Sequence, residues 1–248
     1  MTPYYQHAGI TIYHGDAREV LPQLSIDVDV TIADPPTGET ALDWDKWPCA
    51  WIQSLPGASF WCFGTLRMFR KHMADFQGWK LSQDIVWEKH NGTGMMVDRF
   101  RRVHEQIAHF YKGKWSDVHH EAQKTMDATA RQVRRKQKPS HWSKISSGHF
   151  VAIDGGPRLM RSVLRVRSEH GRAENPTQKP LGILLPIIHY SCPDGGTVLD
   201  PMMGSGSTLV AAKLTGRSAI GIDIRESECE IAAKRLRQEV LNFSEVPA

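Results

Sequence analysis

Two aspartates stand at the ends of successive apolar runs near the C-terminal end of the sequence. Asp200 closes one run and precedes a loop with Gly204 and Gly206, and Asp223 closes the next run, 17 residues after Gly206. Glycines let a backbone approach a ligand closely, and a following helix directs N–H groups at it. Asp200 would repel a phosphate but could bind a cationic amino group, and Asp223 has nearly the spacing of an acid that holds ribose hydroxyls. A ligand with a ribose, an ammonium group and no phosphate fits S-adenosylmethionine; the alternative is an ordinary strand–helix turn with an acidic cap.

A second reactive position lies in the N-terminal part, where Asp34-Pro35-Pro36 directly follows an apolar run. An amino group attached to an aromatic ring is a poor nucleophile because its lone pair is delocalised. A carboxylate and a rigid backbone carbonyl that accept its two N–H bonds would localise that lone pair through preorganised electrostatics and alignment. Asp34 and the carbonyl of Pro35 are the candidates. A strand-terminal Asp-Pro alone is usually only a turn, so this interpretation depends on the cofactor loop.

The elements that must position these residues alternate between strand and helix patterns. Proline ends the strand before Asp34, and the strand–helix rhythm of the C-terminal part predicts a parallel α/β sheet. The predicted strands are Gly9–Tyr13, Val28–Ala33, Ala58–Phe63, Leu81–Trp87, Gln106–Tyr111, Thr197–Asp200 and Ser218–Ile222, and the predicted helices are Ala17–Leu24, Leu66–Phe76, Leu181–Tyr190, Ser207–Thr215 and Glu226–Leu241.

Four motifs in a fixed order resemble a known family. They are Asp34-Pro35-Pro36, Asn175-Pro176-Thr177-Gln178-Lys179-Pro180, Asp200-Pro201-Met202-Met203-Gly204-Ser205-Gly206 and Gly221-Ile222-Asp223. The sequence resembles the β-class amino-group DNA methyltransferases, in which the catalytic motif comes first, the target-recognition region second and the cofactor motif last. Along its length it is similar to phage- and prophage-associated N6-adenine methyltransferases that lack a partner nuclease.

The resemblance implies a Rossmann-like S-adenosylmethionine-dependent methyltransferase fold, a mostly parallel sheet flanked by helices with an inserted basic target-recognition region. It implies N6-adenine methylation of double-stranded DNA after base flipping, because Asp rather than Ser stands in the catalytic turn. It also implies that the protein forms a homodimer. The enzyme would be bacterial or phage-encoded and would act in the cytoplasm. The catalytic residues would be Asp34, Pro35, Pro36 and Thr37, and the cofactor would contact Asp16, Thr177, Gln178, Lys179, Asp200, Pro201, Met202, Gly204, Ser205, Gly206 and Asp223.

The sequence departs from the family at Thr37, where an aromatic residue, usually Tyr, stacks on the flipped base. Such stacking contributes ~1–3 kcal/mol, and a threonine cannot supply it. Another side chain such as Trp44 or Trp47 could stack instead, or the enzyme is slow, or the chain is a decaying copy. Thr37 thus raises the alternative of a catalytically weakened DNA-binding relative. Separate alternatives are N4-cytosine methylation and methylation of RNA or of a protein glutamine.

Basic charge is concentrated in the middle of the chain. Residues 89–172 carry 18 Lys and Arg against 7 Asp and Glu, whereas the rest carries 13 against 20, within a net charge of +4. Such asymmetry is typical of a surface that binds a polyanion, although any one cluster could be only a solvated face. The predicted DNA-binding residues are Arg99, Arg101, Arg102, Arg131, Arg134, Arg135, Lys136, Lys138, Arg158 and Arg161.

Composition excludes several other classes. No apolar run reaches the ~18 residues that span a bilayer, and the N-terminus does not read as a secretory signal. The four cysteines form no Cys-x-x-Cys pair, so we expect reduced thiols, and the histidines have no spacing typical of a metal site. We predict one methyltransferase domain with a catalytic half at 1–89, an inserted target-recognition region at 90–172 and a cofactor-binding half at 173–248.

Overall fold

The computed structural model describes residues 1–40, 42–48, 50–93, 97–135, 148–169 and 178–238. The chain forms two compact units, Met1–His120 with Ser162–Ala248, and Glu121–Arg161. Among the described residues, no helix combines the length and the apolar character needed to cross a membrane.

In the described residues, the larger unit contains a sheet of nine strands: β1 (Tyr5–His7), β2 (Ile10–His14), β3 (Val30–Ala33), β4 (Ser59–Gly64), β5 (Lys80–Thr93), β6 (Arg102–Tyr111), β11 (Val163–Arg165), β12 (Thr197–Asp200) and β13 (Ser218–Asp223). Their order across the sheet is β1-β2-β13-β12-β3-β4-β6-β5-β11. The centre, from β2 through β13, β12 and β3 to β4, is parallel; β1, β6 and β5 join by antiparallel pairing, and β11 pairs in parallel with β5. The mostly parallel sheet confirms the predicted fold class.

Within the part of the chain that the structure describes, five α-helices flank the sheet, and the last three agree closely with the helices predicted for the C-terminal part. They are α1 (Ala17–Val20), α2 (Leu66–Lys71), α3 (Leu181–Ser191), α4 (Ser207–Leu214) and α5 (Glu226–Arg237). The helices α1 and α2 are shorter than the predicted helices Ala17–Leu24 and Leu66–Phe76. The rest of each predicted range contains a short 3₁₀ helix, Leu21–Gln23 after α1 and Met73–Phe76 after α2.

The core lies on both faces of the sheet. In β4, Phe60 and Cys62 face the apolar layer that contains α1 and α2, whereas Trp61 and Phe63 face the layer that contains α3, α4 and α5. All six residues of β4 are buried. Side chains alternate along a strand, so a strand covered on both faces is a continuous apolar run. This burial fixes the carboxyl edge of the central strands, where the candidate site lies.

The described residues of the smaller unit form two short antiparallel strand pairs. β7 (Lys124–Thr125) pairs with β10 (Arg158–Leu159), and β8 (Arg131–Arg135) pairs with β9 (Gly148–Ala152). The sequence predicted an insertion over 90–172, but β6 and β11 belong to the nine-stranded sheet. The predicted insertion is therefore wider than the compact unit Glu121–Arg161. Its bounds include Gln106–Tyr111 of β6, which the sequence also predicts as a strand, and β11, whose three residues are too few and too exposed to show an apolar period.

Candidate active site

Three aspartates lie at the carboxyl edge of three neighbouring strands. β12 pairs in parallel with β3 on one side and with β13 on the other. Asp200 and Asp223 are the last residues of their strands, and Asp34 directly follows β3. All three line one cleft of about 1500 Å³. The sheet thereby joins residues that are far apart in sequence, and open α/β sheets bind ligands at this edge.

Asp223 fixes the loop that follows β12 through a hydrogen bond to its backbone. Asp223 Oδ2 accepts a hydrogen bond from the Gly204 N–H at 2.9 Å, and its Oδ1 accepts one from the Arg225 N–H at 2.9 Å. Gly206 has a φ of +76°, and a Cβ at that position would lie 2.7 Å from the Cβ of Ala232. The loop therefore needs glycine at 206, both for its backbone conformation and for its close approach to α5.

Asp200 is a buried carboxylate with only 4% exposure. It accepts a hydrogen bond from the Met202 N–H at 3.1 Å and another from the Thr208 hydroxyl. Burial raises its pKa to about 7, although these two neutral donors oppose the rise. A cation placed beside this carboxylate would relieve the cost of its burial.

Asp34 belongs to a chain of alternating charges. The Lys179 ammonium lies 2.5 Å from Asp34 Oδ2 and 3.5 Å from Glu105 Oε2, and Lys89 donates a hydrogen bond to Glu105. Burial raises the pKa of Asp34, and the positive charge of Lys179 opposes that rise. Burial would lower the pKa of Lys179, but Asp34 and Glu105 together raise it. Lys179 is therefore held as a cation against the Asp34-Pro35-Pro36 turn.

The residues beside Lys179 bear on ligand binding. Gln178 lines the cleft, and its Oε1 is buried without a hydrogen-bond donor in the described part of the chain. Such an acceptor is costly unless a ligand satisfies it. Thr177, predicted with it, lies outside the described residues. Asp16 also lines the cleft, where it accepts hydrogen bonds from the Arg18 backbone N–H at 2.9 Å and from the Arg18 guanidinium, which lowers its pKa.

The segment after Asp34-Pro35-Pro36 is organised by a residue that the sequence did not single out. The carboxylate of buried Asp45 accepts hydrogen bonds from the backbone N–H groups of Gly38, Glu39 and Thr40 at 2.7–3.1 Å. Thr37 lines the cleft at the start of this segment. Asp45 thus fixes the backbone that directly follows Thr37.

The two tryptophans considered as substitutes for that aromatic differ sharply. Trp47 is half-buried, stacks on His72 with ring centroids 4.3 Å apart, and donates a hydrogen bond to Asp75 at 2.6 Å. Trp44 is 47% exposed and lines the cleft, with the Arg225 guanidinium 5.5 Å from its ring centre. Of the two, only Trp44 presents a ring to the cleft.

The predicted basic residues fall into separate groups. Arg99, Arg101 and Arg102 line the cleft; Arg99 pairs with Asp98 at 2.7 Å. In the smaller unit, Arg158 donates a hydrogen bond to Asp127 at 2.7 Å, while Arg131 and Arg161 are exposed. The side chains of Arg134 and Arg135, and all of Lys136 and Lys138, lie outside the described residues. Within that description, no cluster of His, Cys, Asp or Glu could hold a metal ion.

Comparison with known proteins places this arrangement in a family. Residues 28–234 match the N6/N4 methyltransferase family model, described as a DNA methylase. The type II methyltransferase M.ScaI of Streptomyces caespitosus is 23% identical over 96% of this chain and 84% of its own length. M2.LlaDCHI of Lactococcus lactis subsp. cremoris is 28% identical over 95% of this chain and 92% of its own.

Solved structures agree with the fold. The crystal structure of the M1.HpyAVI–SAM complex matches with a TM-score of 0.60 and 27% identity, covering 91% of this chain and 99% of that chain. The cytosine-N4-specific PvuII DNA methyltransferase matches with a TM-score of 0.65 and 14% identity, covering 97% and 90%. Because the second structure is only 14% identical, its match supports the fold and nothing further.

Proposed function

The chain belongs to the N6/N4 family of DNA methylases, and on that basis we propose that it methylates the N6 amino group of adenine in double-stranded DNA. It is a DNA amino-methyltransferase whose methyl donor is S-adenosylmethionine. The observation that carries the proposal is the shared cleft, which brings the Asp34 turn beside the Asp200–Gly206 loop.

The residues of this cleft fit the donor. Asp200 offers a buried carboxylate that a methionine ammonium group would neutralise, and Gln178 offers a buried acceptor without a described donor. The loop with Gly204 and Gly206 leaves room for close backbone approach, and Asp223 stands at the next strand end to accept ribose hydroxyls. We assign the methionine end to Gln178, Lys179 and Asp200, and the adenosine end to Asp16 and Asp223.

The bound donor supplies an electrophilic methyl group on a sulfonium. On the protein side, Asp34 accepts one N–H of the target amino group and the Pro35 carbonyl accepts the other, which localises the nitrogen lone pair. Transfer of that methyl group would leave the donor as a neutral thioether and place positive charge on the nitrogen. The fixed Asp34 carboxylate would stabilise that charge, and the N–H proton that it accepts would pass through Asp34 to solvent.

Lys179 has a positioning role in this scheme. Its ammonium group donates a hydrogen bond to Asp34 Oδ2 at 2.5 Å. This contact orients the carboxylate and favours its ionised form. Each carboxylate oxygen has two lone pairs, so Asp34 can still accept an N–H from the base. Glu105, itself paired with Lys89, holds Lys179 from the other side.

Adenine is favoured over cytosine because the catalytic turn carries Asp34 rather than a serine, following the family resemblance. The basic region at 90–172 is proposed to provide target recognition, with the target base flipped from the duplex. We further propose a homodimer, acting in a bacterial or phage-infected cytoplasm.

The test is transfer of a labelled methyl group to unmethylated genomic DNA, followed by digestion to nucleosides and mass spectrometry. We expect labelled N6-methyladenine. Labelled N4-methylcytosine would replace the adenine assignment while retaining the class. Label in RNA or protein but not in DNA would overturn the proposal.

A further inference from the structure

Two large apolar side chains stand fully in solvent in the segment between β5 and β6. Val97 is 101% exposed and Phe100 is 102% exposed, the highest values among the exposed large hydrophobic residues of the described chain. Transfer of a phenylalanine ring out of water lowers the free energy, so complete exposure of this ring is unfavourable in the free protein. Exposed apolar groups with charged neighbours mark surfaces that bind a partner.

The surroundings of Phe100 indicate what that partner is. The segment 97–102 carries three arginines against one aspartate, and Phe100 lines the cleft together with Arg99, Arg101 and Arg102. Asp34 lines the same cleft. An aromatic ring flanked by arginines therefore lies in the same cleft as the Asp34 turn, where a polyanion with stacked bases is complementary in both charge and shape.

The base of this segment is anchored to the catalytic region. Arg102, the first residue of β6, contacts Glu39 Oε2 at 3.1 Å, and Glu39 also accepts a hydrogen bond from the Thr65 hydroxyl at 2.6 Å. Arg101 packs over Gly92, where any Cβ would lie 2.4 Å from the arginine side chain. The exposed ring is thus carried on a segment tied to the residues that follow Asp34.

We propose that Phe100 is a wedge that enters the base stack of duplex DNA beside the target and fills the space left by the flipped base. This inference rests on the proposed function, since a base must leave the stack before its amino group reaches Asp34. Apolar side chains that enter base steps offset the cost of unstacking with new contacts. Arg99 and Arg101 hold the adjacent backbone while the ring occupies the gap.

The experiment uses the recognition site found by mapping methylated positions in genomic DNA. Single-turnover methylation is measured on two duplexes, one with the target base paired and one with it opposite an abasic site. Phe100→Ala should slow the paired duplex roughly 10- to 100-fold, about 1.4–2.7 kcal/mol of barrier, and change the unpaired duplex by less than about threefold. Phe100→Leu, which keeps an apolar wedge, should restore most of the rate.

Met73→Ala is the matched control, because Met73 is 66% exposed but does not line the cleft; its rates should equal those of the unmodified protein. Equal losses on both duplexes would overturn the wedge, since a ring that stacks on the flipped base itself would act on both. Unchanged rates, or a shift of Phe100→Ala to a smaller oligomer in sedimentation, would also overturn it. Failure of the unmodified protein to methylate any DNA would instead overturn the proposed function and the wedge with it.

Discussion

At the residue scale, Asp34, Asp200 and Asp223 share one edge of the sheet but have different partners. Asp34 pairs with the Lys179 ammonium at 2.5 Å and Asp223 with the Arg225 guanidinium at 3.7 Å, whereas Asp200 accepts hydrogen bonds from the Met202 N–H and the Thr208 hydroxyl, which are neutral donors. Burial, neighbouring charges and hydrogen-bond donors together decide whether a carboxylate stays ionised or takes up a proton near neutral pH. The three acids should therefore respond differently to substitution and to pH.

Asp34→Asn should separate chemistry from cofactor binding. The amide keeps the size of the side chain but loses the negative charge that stabilises the developing cation, so we expect a loss of at least ~100-fold in the single-turnover rate. S-adenosylmethionine affinity, measured by calorimetry, should change little. Asp84→Asn, an exposed carboxylate on β5, is the control. Near-normal turnover by Asp34→Asn would remove this residue from the mechanism.

Asp200 should couple cofactor binding to proton release. Its pKa of about 7 lies above the ordinary value of about 3.9, so part of it is protonated near neutral pH. An ammonium ligand favours the ionised form; affinity should therefore rise between about pH 6 and about pH 7, with a proton released. Calorimetry in two buffers of different ionisation enthalpy measures that proton. Asp200→Asn should abolish the release, and identical heats in both buffers for the unmodified protein would contradict the assignment.

The same pKa bears on stability. Because the folded-state pKa of Asp200 exceeds its unfolded value, the folded protein binds more protons, and Asp200 lowers the free energy of unfolding as pH rises from about 4 to about 7. Under the proposed assignment, a cofactor ammonium group bound beside Asp200 would offset this loss of stability.

Thr37→Tyr tests whether an aromatic residue is missing. If stacking of ~1–3 kcal/mol is felt in the transition state, the substitution should raise the single-turnover rate on duplex DNA roughly 5- to 150-fold, with little change in cofactor affinity. Trp44→Ala is the companion variant, since Trp44 presents its ring to the same cleft. No gain from Thr37→Tyr together with a loss in Trp44→Ala would show that Trp44 already stacks the base.

At the element scale, the turn between β12 and α4 depends on one glycine. Gly206→Ala places a Cβ 2.7 Å from Ala232 at a φ of +76° and should lower the free energy of unfolding by about 1–3 kcal/mol. Cofactor affinity should fall too, because the loop must shift. Gly216→Ala is a matched control: its φ is +70°, but nothing lies within 4 Å of the added Cβ. Chemical denaturation and calorimetry measure both effects, and equal destabilisation by the two variants would show that backbone strain alone matters.

Apolar patterns predicted the central elements because these are buried on both sides. The runs at β3, β4, β12 and β13 are nearly continuous apolar stretches, and each lies in the sheet as expected. β1, β11 and the strands of the smaller unit were missed. They are short and have at least one exposed residue, so neither alternation nor a helical period marks them.

Site residues were predictable only where chemistry and local position coincide. Asp34, Asp200 and Asp223 are found from sequence because each ends an apolar run. Glu105 and Asp45 are not, since their importance comes from contacts with residues that only the fold brings near. Their sequence neighbourhoods carry no distinguishing pattern, so only the structure identifies these supporting side chains.

At the scale of the whole molecule, positive charge gathers in residues 89–172 while the rest of the chain is acidic. Replacing Arg134 and Arg135 by Ala should weaken binding to all DNA sequences alike, and each lost phosphate contact should reduce the slope of log affinity against log salt by about 0.9. Binding titrations at several salt concentrations measure this slope. Lys234 and Arg237, exposed cations on α5, are the paired control. An unchanged slope in the Arg134 and Arg135 variant would leave this run as a solvated face.

The strand order determines how late in translation the centre of the sheet, and with it the candidate active site, can form. β12 and β13 lie between β2 and β3, so these two early strands lack their central partners until residues 197–223 leave the ribosome. At about 5–20 residues per second, that wait after β3 is roughly 10–40 s. Chains that stop earlier carry Asp34 but no Asp200 loop. Aborted translation products therefore expose apolar strand edges that chaperones and proteases recognise, yet they cannot modify the cell's DNA.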